Sequence, residues 1–244
     1  EPRQRVLRRG RARFPPRSSR YGISNSENDT VPSRHGGQWL LDGGPEEGLD
    51  RVAGERRARA ATLFVLGLPG SAYLYQGEEL GLHEVADIVP EQRQDPTYFR
   101  TAGAEIGRDG CRVPLPWDAE GTSFGFGSAG AHMPQPAWFA DYAVTAQESD
   151  AGSTLSLYRR ALGLRRLFQT DESLEWVETG RSDVLHFRRP NGWQVIANFG
   201  TEAYPLTSPV SVAVSSAPQD GVVSNSVPAE STVWVAPSGE LPQN

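Results

Sequence analysis

The sequence predicts an α/β segment followed by an all-β module. Three observations predict it. A run with helical apolar spacing from Leu49 to Gly67 stops at Pro69-Gly70 and passes straight into the extended aromatic stretch Ala72–Tyr75. Helix, short turn and strand in immediate succession make an α/β unit. After Thr170 the chain breaks into short β-branched and aromatic runs separated by turn residues, which is the pattern of a sandwich-like antiparallel module of about 70 residues.

Taken in order, the first twenty residues carry eight arginines around the Pro15-Pro16 break and show neither helical nor strand periodicity. They read as a disordered tail; the alternative, a nucleic-acid or membrane arm, is opposed by the acidic remainder. Residues 21–50 are rich in Gly, Ser, Asn, Asp and Pro and read as loop. In the helix that follows, Leu49, Ala53, Ala60, Phe64 and Gly67 share a face. Residues 82–135 form a long irregular stretch, a length that inside a compact domain points to function. Ser153 is placed to cap a second helix with Leu157, Ala161, Leu164 and Phe168 on one face. Strands are expected at Leu174–Glu178, Asp183–Arg189, Gln194–Phe199, Ser211–Ser216 and Thr232–Ala236, with Asn191-Gly192 as the strongest hairpin signal. The resulting boundaries are a tail at 1–20, an α/β segment at 21–170, an all-β domain at 171–237 and a tail at 238–244.

Composition narrows the function. A net charge of −6 over 244 residues argues against general nucleic-acid binding. All 24 basic residues are arginine, a bias of codon usage and not of physics. Cys111 is the single cysteine, so no internal disulfide or cysteine-based metal site is expected. His35, His83, His132 and His186 lack ligand spacing, so no metal or other cofactor is expected. No apolar run reaches the roughly 18 residues of a membrane span, and no signal-peptide core stands at the start, so the expected location is the cytoplasm.

The chemistry-bearing stretch is LPGSAYLYQGEELG, residues 68–81. A strand that ends in glycine and then presents Glu78 and Glu79 resembles the mouth of a barrel or sheet, where ligands bind. Adjacent residues of an extended strand point to opposite faces, so these two carboxylates are not expected to flank one bond together. About thirty residues on, RDGCRVPLPW presents Arg108, whose guanidinium suits a pair of sugar oxygens or the carboxylate that holds them; the alternative is an Arg108–Asp109 network that fixes the loop. Trp117 is expected to pack rather than to stack on a ligand, Trp138 and Phe139 to be core, and Cys111 to be an inert buried thiol.

YLYQGEELG, RDGCRVPLPW and STLSLYRRALGLRRL, in that order before a small β module, closely resemble the C-terminal half of α-glucosidases of the oligo-1,6-glucosidase and maltase type in the α-amylase superfamily. The resemblance runs from about Tyr21 to Pro237. It implies the C-terminal fragment of a (β/α)8 TIM barrel followed by a small antiparallel β-sandwich domain. It also implies an oligosaccharide substrate, glucose contact by Arg108, and Glu78 and Glu79 at the outer pocket.

The family's retaining mechanism uses a nucleophile and an acid/base about 5–5.5 Å apart, with a third Asp that binds the substrate hydroxyls. The first two belong to barrel strands earlier than anything here. The third falls in an Asn-His-Asp motif just before a segment like Phe14–Gly22, where this chain reads Arg11-Ala12-Arg13. The expectation is therefore a truncated, frame-shifted reading frame that recovers near Phe14 and a catalytically incomplete chain. The alternatives are a non-catalytic carbohydrate-binding or interaction module, and a fragment of a transglycosidase or sugar isomerase.

Overall fold

A computed structural model describes residues 51–218 and 221–237. The Arg-rich run, the loop read at 21–50 with His35, Leu49 of the first helix face, and the residues after 237 lie outside them. Contacts divide the described chain into two units, residues 56–73 with 159–237, and residues 51–55 with 74–158. The sequence boundary at 170 falls inside the first unit.

That unit holds all but the first five residues of helix α1, Arg51–Gly67, and of helix α4, Thr154–Phe168, and the strands β1 Glu175–Trp176, β2 Val184–Arg188, β3 Gln194–Asn198, β4 Tyr204–Ser215, β5 Val223–Val227 and β6 Ser231–Val235. The strands pair antiparallel in the order β1-β2-β3-β6-β4-β5. Side-chain alternation gives the sheet two apolar faces. On one, Val184, Ile196, Val212, Val233 and Val235 form a core that Val227, Tyr204, Leu206 and Val210 join. On the other, α1 lies against the strands: Ala60 packs with Ala197 and Phe199, Thr232 Oγ1 donates to Ala60 O at 2.8 Å, and Trp234 Nε1 donates to Leu63 O at 2.9 Å.

Strand β4 is longer than its sequence signal. Its first part pairs with β5 and its last part with β6, with register shifts in each ladder. The six strands are thus one hydrogen-bonded run. The Asn191-Gly192 signal is a turn: Gly192, at φ +89°, donates its N–H to Arg189 O at 2.9 Å. Pro190 precedes Asn191, so the loop is a residue longer than the two-residue hairpin that an Asn-Gly pair favours.

The end of α1 is closed by two buried arginines from elsewhere in the unit. Arg165 donates to Leu66 O, to Leu68 O at 2.8 Å and to Gly70 O at 2.5 Å, and Arg189 donates to Gly67 O at 3.3 Å. The Leu66 and Gly67 carbonyls are among those a helix leaves without partners at its C-terminus, where positive charge is favoured. Burial pulls both guanidinium pKa values below the ordinary arginine value.

The expected strand at Ala72–Tyr75 is corrected. The segment carries no ladder, and Tyr73 is 92% exposed. A strand needs a hydrogen-bonding neighbour, and none of the described strands pairs with it. Its aromatic character therefore marks a pairing-competent segment and not a formed one.

The second unit is largely irregular, yet it has a core. Leu80, Leu82, Val85, Ile88, Val113, Met133, Phe139 and Leu155 form one buried cluster, with Trp138 and Tyr142 packed against it. The short helices α2, Pro96–Arg100, and α3, Val144–Gln147, sit in it. Ser153 caps α4 as expected, accepting from Ser156 N at 3.1 Å. No helix among the described residues is long and apolar enough to cross a membrane.

Candidate functional site

Glu78 and Glu79 lie in a turn and not on an extended strand, which corrects the premise of the sequence argument. Gly77 makes the turn at φ +86°, and both Leu80 N and Leu82 N donate to Gly77 O. The two carboxylates still diverge. Glu79 folds back to accept Gly77 N–H at 2.9 Å. Glu78 is buried and accepts from Tyr158 Oη at 3.3 Å.

The loop that carries Arg108 is pinned by two aspartates, each of which bonds the backbone of the segment that carries the other. Asp109 is 1% exposed, and its Oδ2 accepts the N–H of Gln94 at 2.9 Å and of Asp95 at 3.0 Å. Asp95 in turn accepts Thr97 N at 2.8 Å, Arg108 N at 2.8 Å and Arg112 Nη1 at 3.1 Å. Backbone donors, the Thr97 N–H first, hold the Asp95 carboxyl below its ordinary pKa against the opposing effect of burial. Gly107 permits the approach: a Cβ there would lie 2.7 Å from Asp95 Cγ. Arg93 adds bonds to Ile106 O at 3.0 Å and Ala86 O at 3.2 Å.

This loop adjoins the Glu78 turn through Cys111. Gln76 Nε2 donates to Cys111 O at 3.4 Å, and Tyr75 Oη lies 3.6 Å from Cys111 Sγ. The thiol donates to Arg108 O at 3.1 Å. Val85 N donates to Gly110 O at 3.3 Å. The structure therefore brings the segments bearing Glu78, Glu79 and Arg108 together on one rigid framework.

Sequence reasoning missed Asp95, Gln94 and Arg93 in this framework. The available signal was Asp95-Pro96: an N-cap aspartate before a proline at the first helical position, which α2 uses. It also missed the pair of buried His83 and half-buried Tyr142, whose Nε2 and Oη are 2.6 Å apart. Burial and then the nearby Glu55 carboxylate push the Tyr142 hydroxyl up to about 12.

Trp117 departs from the packing expectation, being 51% exposed. Its N–H donates to Phe124 O at 2.7 Å, so it pairs with a loop in which Ser123 and Phe124 hold φ values of +53° and +48°. Such left-handed geometry costs a non-glycine residue about 1–2 kcal/mol.

The family model described as "Alpha amylase, catalytic domain" matches residues 47–171. The chain is 34% identical over 169 residues to a probable alpha-glucosidase of Rhizobium meliloti (strain 1021), covering 68% of this chain and 28% of that protein. It is 27% identical over 223 residues to the salivary alpha-glucosidase of Aedes aegypti, covering 85% of this chain and 37% of that protein. Among solved structures, an alpha-glucosyl transfer enzyme superposes with a TM-score of 0.59 at 29% identity, over 74% of this chain and 35% of that one. The chain belongs to the alpha-amylase family. It spans between about a quarter and two-fifths of the length of these relatives.

Proposed function

We propose that this chain is the closing portion of the catalytic barrel, residues 21–170, and the sandwich-type β domain, residues 171–237, of an α-glucosidase that releases terminal α-linked glucose from oligosaccharides. The observation that carries the reading is the tethering of the Arg108 loop to the Glu78 turn through Cys111, within the stretch that matches the catalytic domain. In this reading the Arg108 guanidinium donates to glucose hydroxyls, and Glu78 and Glu79 line the outer pocket. A guanidinium presents paired donors suited to vicinal oxygens. Glu78 and Glu79 are held by Tyr158 and Gly77 and point apart, so they do not form the carboxylate pair that glycoside hydrolysis requires.

The chain by itself is accordingly inactive in this reading. Joining it to the upstream barrel segment of an intact relative and assaying p-nitrophenyl α-glucoside tests the reading. Hydrolysis is expected from the joined chain, a large loss of kcat/KM on Arg108→Ala, and none from these 244 residues alone. A folded, joined chain that does not hydrolyse the substrate overturns it. A second reading, glucosyl transfer or isomerisation, is favoured by the similarity to an alpha-glucosyl transfer enzyme; product analysis on maltose and sucrose separates the two.

A further inference from the structure

We propose that Asp95 is the positioning residue for Arg108, and that one carboxylate oxygen, Oδ2, sets the aim of that arginine by holding both ends of the turn that follows it. The inference rests on the reading of Arg108 as a sugar contact.

The turn is short. Asp109–Cys111 form a one-turn 3-10 helix with Arg108 at its start and Arg112 at its end. Asp95 Oδ2 accepts Arg108 N–H at 2.8 Å and Arg112 Nη1 at 3.1 Å, so the same atom grips the residue before the turn and the residue after it. The other side of Arg108 is fixed as well. Its carbonyl accepts from Cys111 N at 3.3 Å and from Cys111 Sγ at 3.1 Å. With N–H and C=O both engaged, these bonds set the direction in which the Arg108 side chain leaves the main chain.

The approach of Asp95 to the turn depends on glycine at 107. Gly107 stands at φ +70°, and a Cβ there would lie 2.7 Å from Asp95 Cγ. Asp95 is itself held. It is 5% exposed, and its N–H donates to Asp109 Oδ2 at 3.0 Å. Its two oxygens have separate tasks. Oδ1 accepts Thr97 N–H at 2.8 Å and caps α2, while Oδ2 serves the turn.

This division of labour needs a carboxylate. Both oxygens of an ionised aspartate accept, whereas an asparagine has one accepting oxygen and a nitrogen that only donates. In Asp95→Asn the oxygen serves either Thr97 or the turn, and the NH2 group meets donors at the other. Asparagine caps helices as well as aspartate does, and Thr97 is only two residues away, so the cap is expected to persist and the turn to be released. The variant thereby separates positioning from folding.

The test uses the chain joined to the upstream barrel segment, with p-nitrophenyl α-glucoside. Asp95→Asn is expected to lower kcat/KM by about tenfold or more, since a misplacement on the order of 1 Å costs up to about a hundredfold. In an Arg108→Ala background the same substitution is expected to change kcat/KM by less than about twofold, because the two residues act through one contact. An unchanged kcat/KM in Asp95→Asn, or an equal loss in both backgrounds, overturns the positioning role. Amide hydrogen exchange in the 244-residue chain reads the geometry without catalysis. Asp95→Asn is expected to speed exchange at Arg108 N–H while Thr97 N–H keeps its protection, and unchanged exchange at Arg108 overturns the inference. If Asp95→Asn does not fold, Arg112→Ala replaces it in both measurements. It removes one of the two Oδ2 bonds, with an expected loss of about two- to fivefold in kcat/KM, the weight of a half-exposed ion pair, and faster exchange at Arg108 N–H; no change in either overturns the inference. A wild-type joined chain that does not hydrolyse the substrate, beside the exchange pattern expected at Arg108, removes the reading of Arg108 as a sugar contact and leaves Asp95 as the residue that positions it.

Discussion

Asp109 accepts the backbone N–H of Asp95 at 3.0 Å, while Asp95 accepts the N–H of Arg108, the residue before Asp109, at 2.8 Å. Each carboxylate thus ties down the segment that carries the other. Asp95→Ala is expected to destabilise the protein by about 2–3 kcal/mol, since buried donors lose an ionised acceptor, and Asp95→Asn by less. Because the folded-state pKa of Asp95 is depressed, its contribution is present above the unfolded value of about 3.9 and disappears as pH falls through the lower folded value. Urea unfolding of wild type and Asp95→Asn at pH 7 and pH 3 checks this. The stability gap is expected to shrink at pH 3, and an equal gap at both values contradicts the assignment.

Glu230 makes a different kind of tie. It receives Arg56 at 2.6 Å and also Arg57, whose side chain is 5% exposed against 49% for Arg56. Removing the carboxylate strands buried positive charge, so Glu230→Ala is expected to cost about 3–5 kcal/mol. Arg56→Ala is expected to cost under about 1 kcal/mol, because that partner is half in water. Denaturant midpoints of the two variants give the comparison, and similar losses would show that burial does not separate the two arginines.

Much of the fold was legible from residue spacing, because period and caps are local. The α1 and α4 faces, the Ser153 cap and the runs that became β2, β3 and β6 all follow from patterns within a dozen residues. What was missed is non-local. Strand β5, VSNSV, is polar at three of its five positions, and pairing with β4 decides it. The Ala72–Tyr75 segment shows the converse, a sound strand pattern without a neighbour among the described strands. In the site, the RDG and QGEE segments were visible as motifs. Their connection through Cys111, and the Asp109–Asp95 and Asp95–Arg108 bonds, depend on loops that no periodicity describes. The Arg165 and Arg189 caps of α1 come from residues about a hundred positions away in sequence.

Two helical glycines make opposite predictions. At Gly67 a Cβ would lie 2.6 Å from Val195 Cγ2 and 3.3 Å from Phe187 Cζ, because α1 meets the sheet there. Gly67→Ala is expected to destabilise by about 1–3 kcal/mol through overpacking. At Gly163, exposed within α4, a Cβ meets nothing within 4 Å. Gly163→Ala is expected to stabilise by up to about 1 kcal/mol through helix propensity and a less disordered unfolded chain. Thermal unfolding reads both, and a shift of the same sign in the two variants contradicts the packing argument.

The unpaired segment has a consequence for solubility. Tyr73 and Leu74 are 92% and 45% exposed on a stretch, strand-like in sequence, that joins none of the described ladders. Extended backbone with apolar side chains is a template for pairing with another chain, and natural edges are blunted by charge. Tyr73→Lys is expected to lower self-association of the chain without loss of thermal stability, since the replaced ring is almost wholly in water. Val223, 70% exposed on β5, the terminal strand of the sheet order, supplies the comparison. There β4 already satisfies one side of the strand, so Val223→Lys is expected to have the smaller effect. Sedimentation velocity across a concentration series measures both variants. Equal self-association of wild type and Tyr73→Lys would show that residues 71–75 are not the adhesive segment.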